Sequence, residues 1–257
     1  AASLRIHRMV DNLFRCWREE LQPQLHEKGF RFHEMDHLTD DNRIWVEKFF
    51  NEKVRPVLTP LAVDPSKAFP LILNKSLNVI ARVERKSKRG IEQRLCIVQV
   101  PRVIPRLVQL PEGESAHEYV FLADIISYFI ESLFPGNKVM GAWRFRVTRN
   151  SELYVGEEDA DNMLKAVENE LRNRRKGHAV RLEVDHDAPE DLVCELLETM
   201  ELSEDDLYYI EGPVNPIHLS GLLEGDHSPE LRDDHFLPPP SPVFKNQNLP
   251  ISTLGGY

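Results

Sequence analysis

The chain has 257 residues, with 32 Lys and Arg against 42 Asp and Glu, so its formal net charge at pH 7 is −10. Hydrophobic residues make up 41% and charged residues 29%, which is typical of a globular protein that buries a core and excludes a largely disordered chain. The acidic balance argues against a dedicated nucleic-acid-binding module, which carries a positive excess, but it is compatible with a local basic groove.

The cysteines and the apolar stretches bear on the compartment. Cys16, Cys96 and Cys194 are widely separated, a spacing that fits neither a disulfide framework nor a zinc knuckle, so a reducing compartment is predicted. The longest apolar stretch, residues 120–130, is shorter than the roughly 20 residues that cross a bilayer, so no transmembrane segment is expected. The chain opens at Ala1 inside a helical pattern and without Met, which predicts a piece of a longer protein.

Two helices are predicted in the first part of the chain, over residues 4–28 and 39–53, because apolar residues recur there at helical spacing. Gly29 is typical of the residue that follows a helix end. Thr39 before two aspartates is typical of a helix start. Four prolines break residues 55–71 into extended and turn pieces.

The remainder predicts an α+β fold, in which a helical N-terminal piece precedes a mainly antiparallel sheet with flanking helices. Alternating or β-branched runs predict short strands over residues 77–83, 95–100, 106–110, 142–148, 179–184 and 207–210. The charged turn at 85–90 between the first two predicts a hairpin. Helical spacing predicts helices over residues 122–134, 157–176, 189–200 and 216–223. After Phe236 the chain is rich in Pro, Ser and Gly, so this tail is expected to be flexible.

One motif matches a metal site literally: residues 33–37 read His-Glu-Met-Asp-His. On a helix, an HExxH motif places two imidazoles on one face, where they bind zinc beside a glutamate base. Here the motif falls between the helix end at Gly29 and the helix start at Thr39, so an exposed polar connection is the favoured interpretation. A zinc-dependent hydrolase that uses His33 and His37 is the disfavoured alternative.

Other catalytic signatures are absent from the sequence. It contains no GxxxxGK[ST] loop, no GxGxxG loop and no GxSxG elbow. Two acid-histidine neighbours, at residues 185–187 and 226–228, are interpreted as surface turns, because adjacent side chains on a strand point apart. No catalytic, cofactor-binding or metal-binding residue is predicted.

Three basic clusters are the remaining candidates for binding an anion. They comprise Arg82, Arg85, Lys86, Lys88 and Arg89; Arg144, Arg146 and Arg149; and Arg172, Arg174, Arg175 and Lys176. The favoured interpretation is that each is a solvated charged surface, as most charge runs are. The pair Arg144 and Arg146 stands out, because strand alternation places both on one face of the sheet.

Several ordered motifs resemble one family. Residues 69–78, FPLILNKSLN, are similar to the FPxLxNKSLN signature of polyphosphate kinases. Residues 145–153, FRVTRNSEL, are similar to the FRxTRNxxL stretch of that family. Segments within 157–184 and 202–215 follow in the same order, including Gly-Pro-Val-Asn at 212–215. The resemblance extends over residues 4–236, and it rests on the set of motifs in order.

The resemblance implies an activity and a domain plan. Members of the family transfer the terminal phosphate of ATP, reversibly and with magnesium, onto inorganic polyphosphate. A helical N-terminal domain and a head domain precede two C-terminal domains that carry the phosphorylated histidine. By this resemblance, residues 1–28 are the end of the N-terminal domain, residues 29–237 are the head domain, and residues 238–257 are a Pro-rich tail. The catalytic domains are expected outside this chain.

The resemblance also implies a role without a catalytic residue. The head is expected to form a homodimer and to frame the path of polyphosphate, with Arg82, Arg144, Arg146 and Arg149 as candidate contacts. ATP and magnesium belong to the complete family enzyme, and none is expected on this chain, which alone should be inactive. Nucleic acid is not an expected partner. The expected location is the cytoplasm, with membrane association open for the complete protein. The alternative is a stand-alone polyanion-binding module.

Overall fold

A computed structural model describes residues 2–64, 69–87, 90–111, 117–150 and 177–223, together with Asp233 and Phe236. The helix predicted at 157–176, the basic cluster at 172–176 and the tail after residue 236 lie outside these residues. The side chains of residues 86–89, three of which belong to the first basic cluster, also lie outside the described residues.

The N-terminus is one continuous helical rod. Helix α1 (Ala2–Cys16) passes through a π-helical turn (Trp17–Leu21) into α2 (Gln22–Glu27). Gly29 ends the rod with a φ of +85°, a conformation that glycine adopts without steric cost. Val10 and Phe14 on α1 are buried. The predicted helix at 4–28 is confirmed.

Helix α3 (Asp40–Phe49) continues through a π-helical turn (Phe50–Val54) into a 3₁₀ turn (Arg55–Val57). The hydroxyl of Thr39 caps it by accepting a hydrogen bond from the backbone N–H of Asn42 at 3.3 Å. This bond satisfies one of the amides that a helix start leaves without a partner. The predicted second helix and its start are therefore confirmed.

Nine strands occur in the described residues. They are β1 (Phe30–Phe32), β2 (Pro60–Ala62), β3 (Leu77–Ser87), β4 (Gly90–Gln99), β5 (Leu107–Gln109), β6 (His117–Phe121), β7 (Lys138–Arg149), β8 (Ala179–Asp185) and β9 (Leu207–Ile210). Six of them form one sheet in the order β2-β4-β3-β7-β8-β9, and three form a second sheet in the order β1-β6-β5.

The large sheet is antiparallel except between β8 and β9, which run parallel. This confirms the α+β class, the predicted hairpin of β3 and β4, and the mainly antiparallel sheet. Strands β1, β2 and β6 were not predicted as strands. A three-residue strand is too short to show a period of two, and β6 runs directly into the apolar start of the next helix, which hides its alternation.

The remaining helices are short. Helix α4 (Leu122–Tyr128) is followed by a 3₁₀ segment (Ile130–Leu133), so the helix predicted at 122–134 is divided in two. Helix α5 (Glu190–Met200) begins after Pro189 and matches its prediction. Residues Pro216–Leu223 form a 3₁₀ helix.

The two faces of the large sheet bury different cores. Val79 and Val98 face a cluster shared with α1, α3 and α4. Ile80 and Phe145 face a second cluster that includes the buried side of α5. Because neighbouring strand residues point to opposite faces, the register of β3 with β7 fixes which β7 side chain enters which core. Each large side chain buried in this way stabilises the fold by about 1.5–3 kcal/mol.

By internal contacts the chain divides into residues 1–221 and residues 222–257. The first unit contains the N-terminal rod, because α1 shares a core with the large sheet. The domain boundaries expected after residues 28 and 237 stay predictions. Across the described ranges, no helix combines the length and the apolar character needed to cross a membrane. All three cysteines are free thiols.

Candidate functional site

Arg144 on β7 is the centre of a three-membered ion cluster. Its Nε lies 2.9 Å from both carboxylate oxygens of Asp185 on β8, and its NH1 lies 2.5 Å from Oδ1 of Asp124 on α4. The backbone N–H of Arg144 also donates to Asp185 at 2.6 Å. The side chains of Arg144 and Asp124 are 24% exposed and that of Asp185 is 7% exposed. The guanidinium is therefore bound to carboxylates on two sides.

Burial and charge act in opposite directions in this cluster. Burial raises the pKa of both Asp124 and Asp185, while the nearby Arg144 lowers it. Burial alone would lower the pKa of Arg144, but the two carboxylates raise it above its ordinary value. Because an unpaired buried charge is costly, each partner needs the others.

Arg146 lies on the same face of β7 as Arg144, as predicted, and has its own partners. Its NH1 lies 2.9 Å from Oε2 of Glu183 and donates to Oδ1 of Asn215 at 3.3 Å. Glu183 is buried and also accepts from Arg181 at 2.6 Å. The Arg181 guanidinium stacks at 4.0 Å over the ring of Tyr208 on β9. One buried glutamate thus balances two arginines.

Arg149, at the end of β7, holds a loop in place. Its Nε donates to the carbonyl of Ile72 at 2.8 Å and its NH1 to the carbonyl of Gly177 at 2.9 Å. Asn74 exchanges two hydrogen bonds with the backbone of Arg149, of 2.9 and 3.3 Å. The next residue, Lys75, has a φ of +57° and donates its backbone N–H to Val147. The FPLILNKSLN motif therefore fastens its loop to β7.

Arg82 lies apart from the other candidates. The register of β3 with β7 places it on the face of Ile80 and Phe145, opposite Arg144 and Arg146. Its NH2 lies 2.7 Å from Asp191 at the start of α5, and the Asp191 side chain is 68% exposed. The four arginines accordingly do not form one continuous patch.

A cleft of about 670 Å³ opens beside Arg144. Its walls combine aromatic side chains with acidic and basic ones. They include Trp17, Arg18, Phe32, Glu34, Phe121, Asp124, Tyr128, Arg144, Asp185, Asp187 and Glu211. Carboxylates outnumber the arginines in this set, so the cleft is not the basic groove that a polyanion prefers.

The HExxH motif is not helical. Residues Met35–His37 form a single 3₁₀ turn after β1. The Nε2 of His33 lies 3.3 Å from the buried Glu118, whereas the Nδ1 of His37 lies 3.4 Å from Glu34 on the surface. The two imidazoles therefore have different partners. This confirms the predicted connection between helices and overturns the zinc-hydrolase alternative, which needs both histidines on one helical face.

The described part of the chain contains no preformed metal site. No group of three or more His, Cys, Asp or Glu side chains there is arranged to hold a metal ion. The two best-placed carboxylates, Asp124 and Asp185, already bind Arg144.

Two polar residues that were not predicted, Arg106 and His218, line a smaller cavity, and Asn215 lies beside His218. Asn215 has a φ of +71°, and its Nδ2 lies 3.1 Å from Nε2 of His218. Burial, with Arg106 and Arg146 nearby, lowers the pKa of His218 to about 4. In the sequence, only the Gly-Pro-Val-Asn motif at 212–215 pointed to this region. It indicated a family but gave none of these residues a role.

A family model for the polyphosphate kinase middle domain matches residues 41–222. The chain is 39% identical over 247 residues to a polyphosphate kinase of Pseudomonas aeruginosa, covering 95% of this chain and 36% of that protein. It is 37% identical over 251 residues to a polyphosphate kinase of Pseudomonas putida, covering 97% of this chain and 34% of that protein. The chain thus spans about a third of the length of these relatives.

The fold is similar to that in a crystal structure of polyphosphate kinase from Porphyromonas gingivalis, with a TM-score of 0.72. That match covers 91% of this chain and 33% of the solved chain, at 22% sequence identity, so it supports the fold. The family model and the relatives agree with the motifs from which the resemblance was drawn. The chain therefore belongs to the polyphosphate kinase family, of which it carries the middle domain.

Proposed function

We propose that this chain is the structural head of a polyphosphate kinase, which transfers the terminal phosphate of ATP reversibly onto inorganic polyphosphate. The observation that carries the proposal is the Arg144 cluster. Arg144 is bound by Asp124 and Asp185, and its positive charge balances their negative charges. A guanidinium used in this way holds β7, β8 and α4 together.

In this proposal, ATP and magnesium act in the complete enzyme and bind residues outside the described part of this chain. The head contributes to a homodimer and frames the path of polyphosphate, and the enzyme works in the cytoplasm. The mass of the purified chain in solution tests the dimer: a stable homodimer supports it, and a monomer at all concentrations contradicts it.

The direct test of the structural role is a synthesis assay. The purified chain is incubated with ATP, magnesium and a short polyphosphate primer. We expect no ATP-dependent lengthening of the polymer, and clear synthesis by this chain alone would overturn the proposal. A family enzyme of full length is the positive control.

A second candidate function is polyanion binding through Arg82, Arg144, Arg146 and Arg149. The observation that favours it is that the Nε of Arg146, a buried atom, has no hydrogen-bond partner within the described ranges. Salt-dependent retention of polyphosphate would support this function, because binding to phosphates weakens as salt rises.

Arg82→Gln is the informative variant for this candidate. The partner of Arg82, Asp191, is mostly exposed, so the exchange leaves no buried charge behind. Replacing Arg144 instead would strand two carboxylates and confuse unfolding with lost binding. Weaker retention in Arg82→Gln than in the exposed control Arg94→Gln supports a contact at Arg82, and equal retention contradicts it.

A further inference from the structure

The cleft beside Arg144 carries an excess of negative charge. Five carboxylates and two guanidinium groups line it, which gives a formal excess of three negative charges when its histidines are neutral. The carboxylates are those of Glu34, Asp124, Asp185, Asp187 and Glu211, and the guanidinium groups are those of Arg18 and Arg144. Because a cleft lined by one sign of charge concentrates ions of the other sign, this cleft attracts cations.

The excess is concentrated around a single guanidinium. Asp124 and Asp185 bind Arg144 directly. Beyond burial and the contacts within this cluster, Asp187 raises the pKa of Arg144 and Asp185. In the same way, Glu34 raises the pKa of Asp124. Four carboxylates therefore lie close enough to act on this one group of charges, which is short of positive charge.

Two of these carboxylates are available to a ligand. Asp187 follows β8 with an exposed side chain, and within the described ranges it forms no hydrogen bond or ion pair. The side chain of Glu34 is 80% exposed, and its carboxylate lies 3.4 Å from Nδ1 of His37. Neither carboxylate contributes to the ion pairs that hold β7, β8 and α4 together.

Aromatic rings form the apolar part of the cleft. Phe32 at the end of β1, Phe121 at the end of β6 and Tyr128 at the end of α4 all line it. Phe32 stacks on Phe121 with the ring centroids 5.9 Å apart, and Tyr128 is 43% exposed. Rings of this kind pack against the methylene groups of a ligand, and their faces attract its positive charges.

The carboxylates are spread along the cleft, which bears on the shape of the ligand. They come from α4, from β8 and from the segments after β1, β8 and β9. Among the residues described, no three His, Cys, Asp or Glu side chains are arranged to hold a metal ion. The volume of about 670 Å³ is within the range of small-molecule sites, about 300–1,000 Å³. The cleft therefore suits an extended organic ligand with several separated positive charges.

We propose that this cleft binds a linear aliphatic polyamine, for which spermidine is the probe. Alkylamines are protonated at neutral pH, since their pKa is about 10, so spermidine is a trivalent cation that matches the formal charge excess. Its ammonium groups donate charge-assisted hydrogen bonds to the carboxylates, and its methylene groups lie against the rings. A basic polypeptide would also bring backbone amides that need partners, which favours the polyamine. The site does not depend on the proposed function.

Titration calorimetry of spermidine into the full 257-residue chain tests the charged part of the site. We expect Asp187→Asn to weaken binding about fivefold, as the loss of an ionic hydrogen bond does. The matched control is Glu195→Gln, which removes the same charge from an exposed position on α5 that does not line the cleft. Equal weakening in the two variants would show a diffuse charge effect and overturn the site.

The aromatic part has its own pair of variants. Tyr128→Leu removes a ring that lines the cleft, and Tyr209→Leu removes a ring on β9 that is 46% exposed and does not line it. We expect weaker spermidine binding in the first variant alone, and unchanged binding in both would contradict the proposal. Because Asp187 and Tyr128 are exposed, their variants should unfold at the urea concentration of the parent, which separates lost binding from a lost fold.

Competing cations identify the ligand class. Spermidine binding that persists in magnesium chloride of equal charge concentration supports the proposal, whereas displacement by magnesium would show diffuse ion binding and overturn it. A trilysine peptide with blocked ends is the second competitor. Tighter binding of this peptide than of spermidine would assign the cleft to a polypeptide and overturn the polyamine. None of these measurements involves polymer synthesis, so failure of this site is distinguishable from failure of the structural role.

Discussion

At the scale of single residues, the charged side chains in the sheet serve mainly to balance one another. Asp124 and Asp185 come from α4 and β8, and both meet Arg144 on β7. Breaking a buried ion pair by removing one partner is strongly destabilising, since the other charge is left without compensation. Replacing Arg144 therefore tests how much of the stability of the fold depends on this one arginine.

Arg144→Met should destabilise the chain by about 3 kcal/mol, because it leaves two carboxylates in the interior. Urea denaturation measures the change in the free energy of unfolding. The control is Arg94→Met, whose partner Glu92 is 39% exposed, and an exposed pair of this kind contributes about 1 kcal/mol or less. Equal losses in the two variants would contradict the structural role of Arg144.

The deficit of Arg144→Met should also depend on pH. Burial raises the pKa of Asp124 and Asp185 above the ordinary value of 3.8, so the folded state holds protons that the unfolded state has already released. Stability from these groups therefore falls as pH rises from 3.8 through the raised values. In Arg144→Met both pKa values rise further, because Arg144 no longer lowers them. The loss of stability with rising pH therefore continues to higher pH in this variant. The deficit should be small near pH 3.8 and grow towards neutral pH, and a deficit independent of pH would contradict this account.

At the scale of elements, the FPLILNKSLN motif acts as a clamp between the loop before β3 and the end of β7. Asn74 and Arg149 supply the side-chain bonds. Gly177 completes the clamp, since a Cβ there would lie 2.1 Å from the carbonyl oxygen of Asn150. No backbone shift of a few tenths of an ångström relieves so close an approach.

Gly177→Ala should therefore destabilise the chain by about 1–3 kcal/mol, the usual cost of forcing extra volume into a packed site. Thermal unfolding followed by circular dichroism provides the measurement. Gly221→Ala is the matched control, because the nearest atom to its added Cβ would lie at an ordinary 3.8 Å. The clamp is contradicted if the two variants unfold at the same temperature.

Helices and strands with a long periodic pattern were predictable from the sequence. Strands of three residues, and a strand that runs directly into the following helix, were not. The rod ending at Gly29, the hairpin of β3 and β4, and α5 were all found. Strand β1 has three residues, and its parallel pairing with β6 joins segments about 87 residues apart in sequence, which no local pattern reports. The face shared by Arg144 and Arg146 followed from alternation. Their partners Asp185 and Glu183 depended on the register of β7 with β8, and Asp124 on the position of α4.

At the scale of the whole molecule, the N-terminal rod and the large sheet form one unit. The ring of His7 on α1 stacks at 4.2 Å on Tyr208, and Arg18 pairs with Glu211 at 2.9 Å. These contacts join the beginning of the chain to β9 and the segment after it. A frame of this kind is what the proposed structural role requires.

The central claim is that this chain supplies structure while the phosphoryl group is accepted elsewhere in the complete enzyme. Its most direct test is to incubate the purified chain with magnesium and ATP labelled in the terminal phosphate, and then to measure label bound covalently to protein. The account predicts no phosphohistidine on any of the ten histidines. Stoichiometric label on one of them, lost when that histidine is replaced, would contradict it.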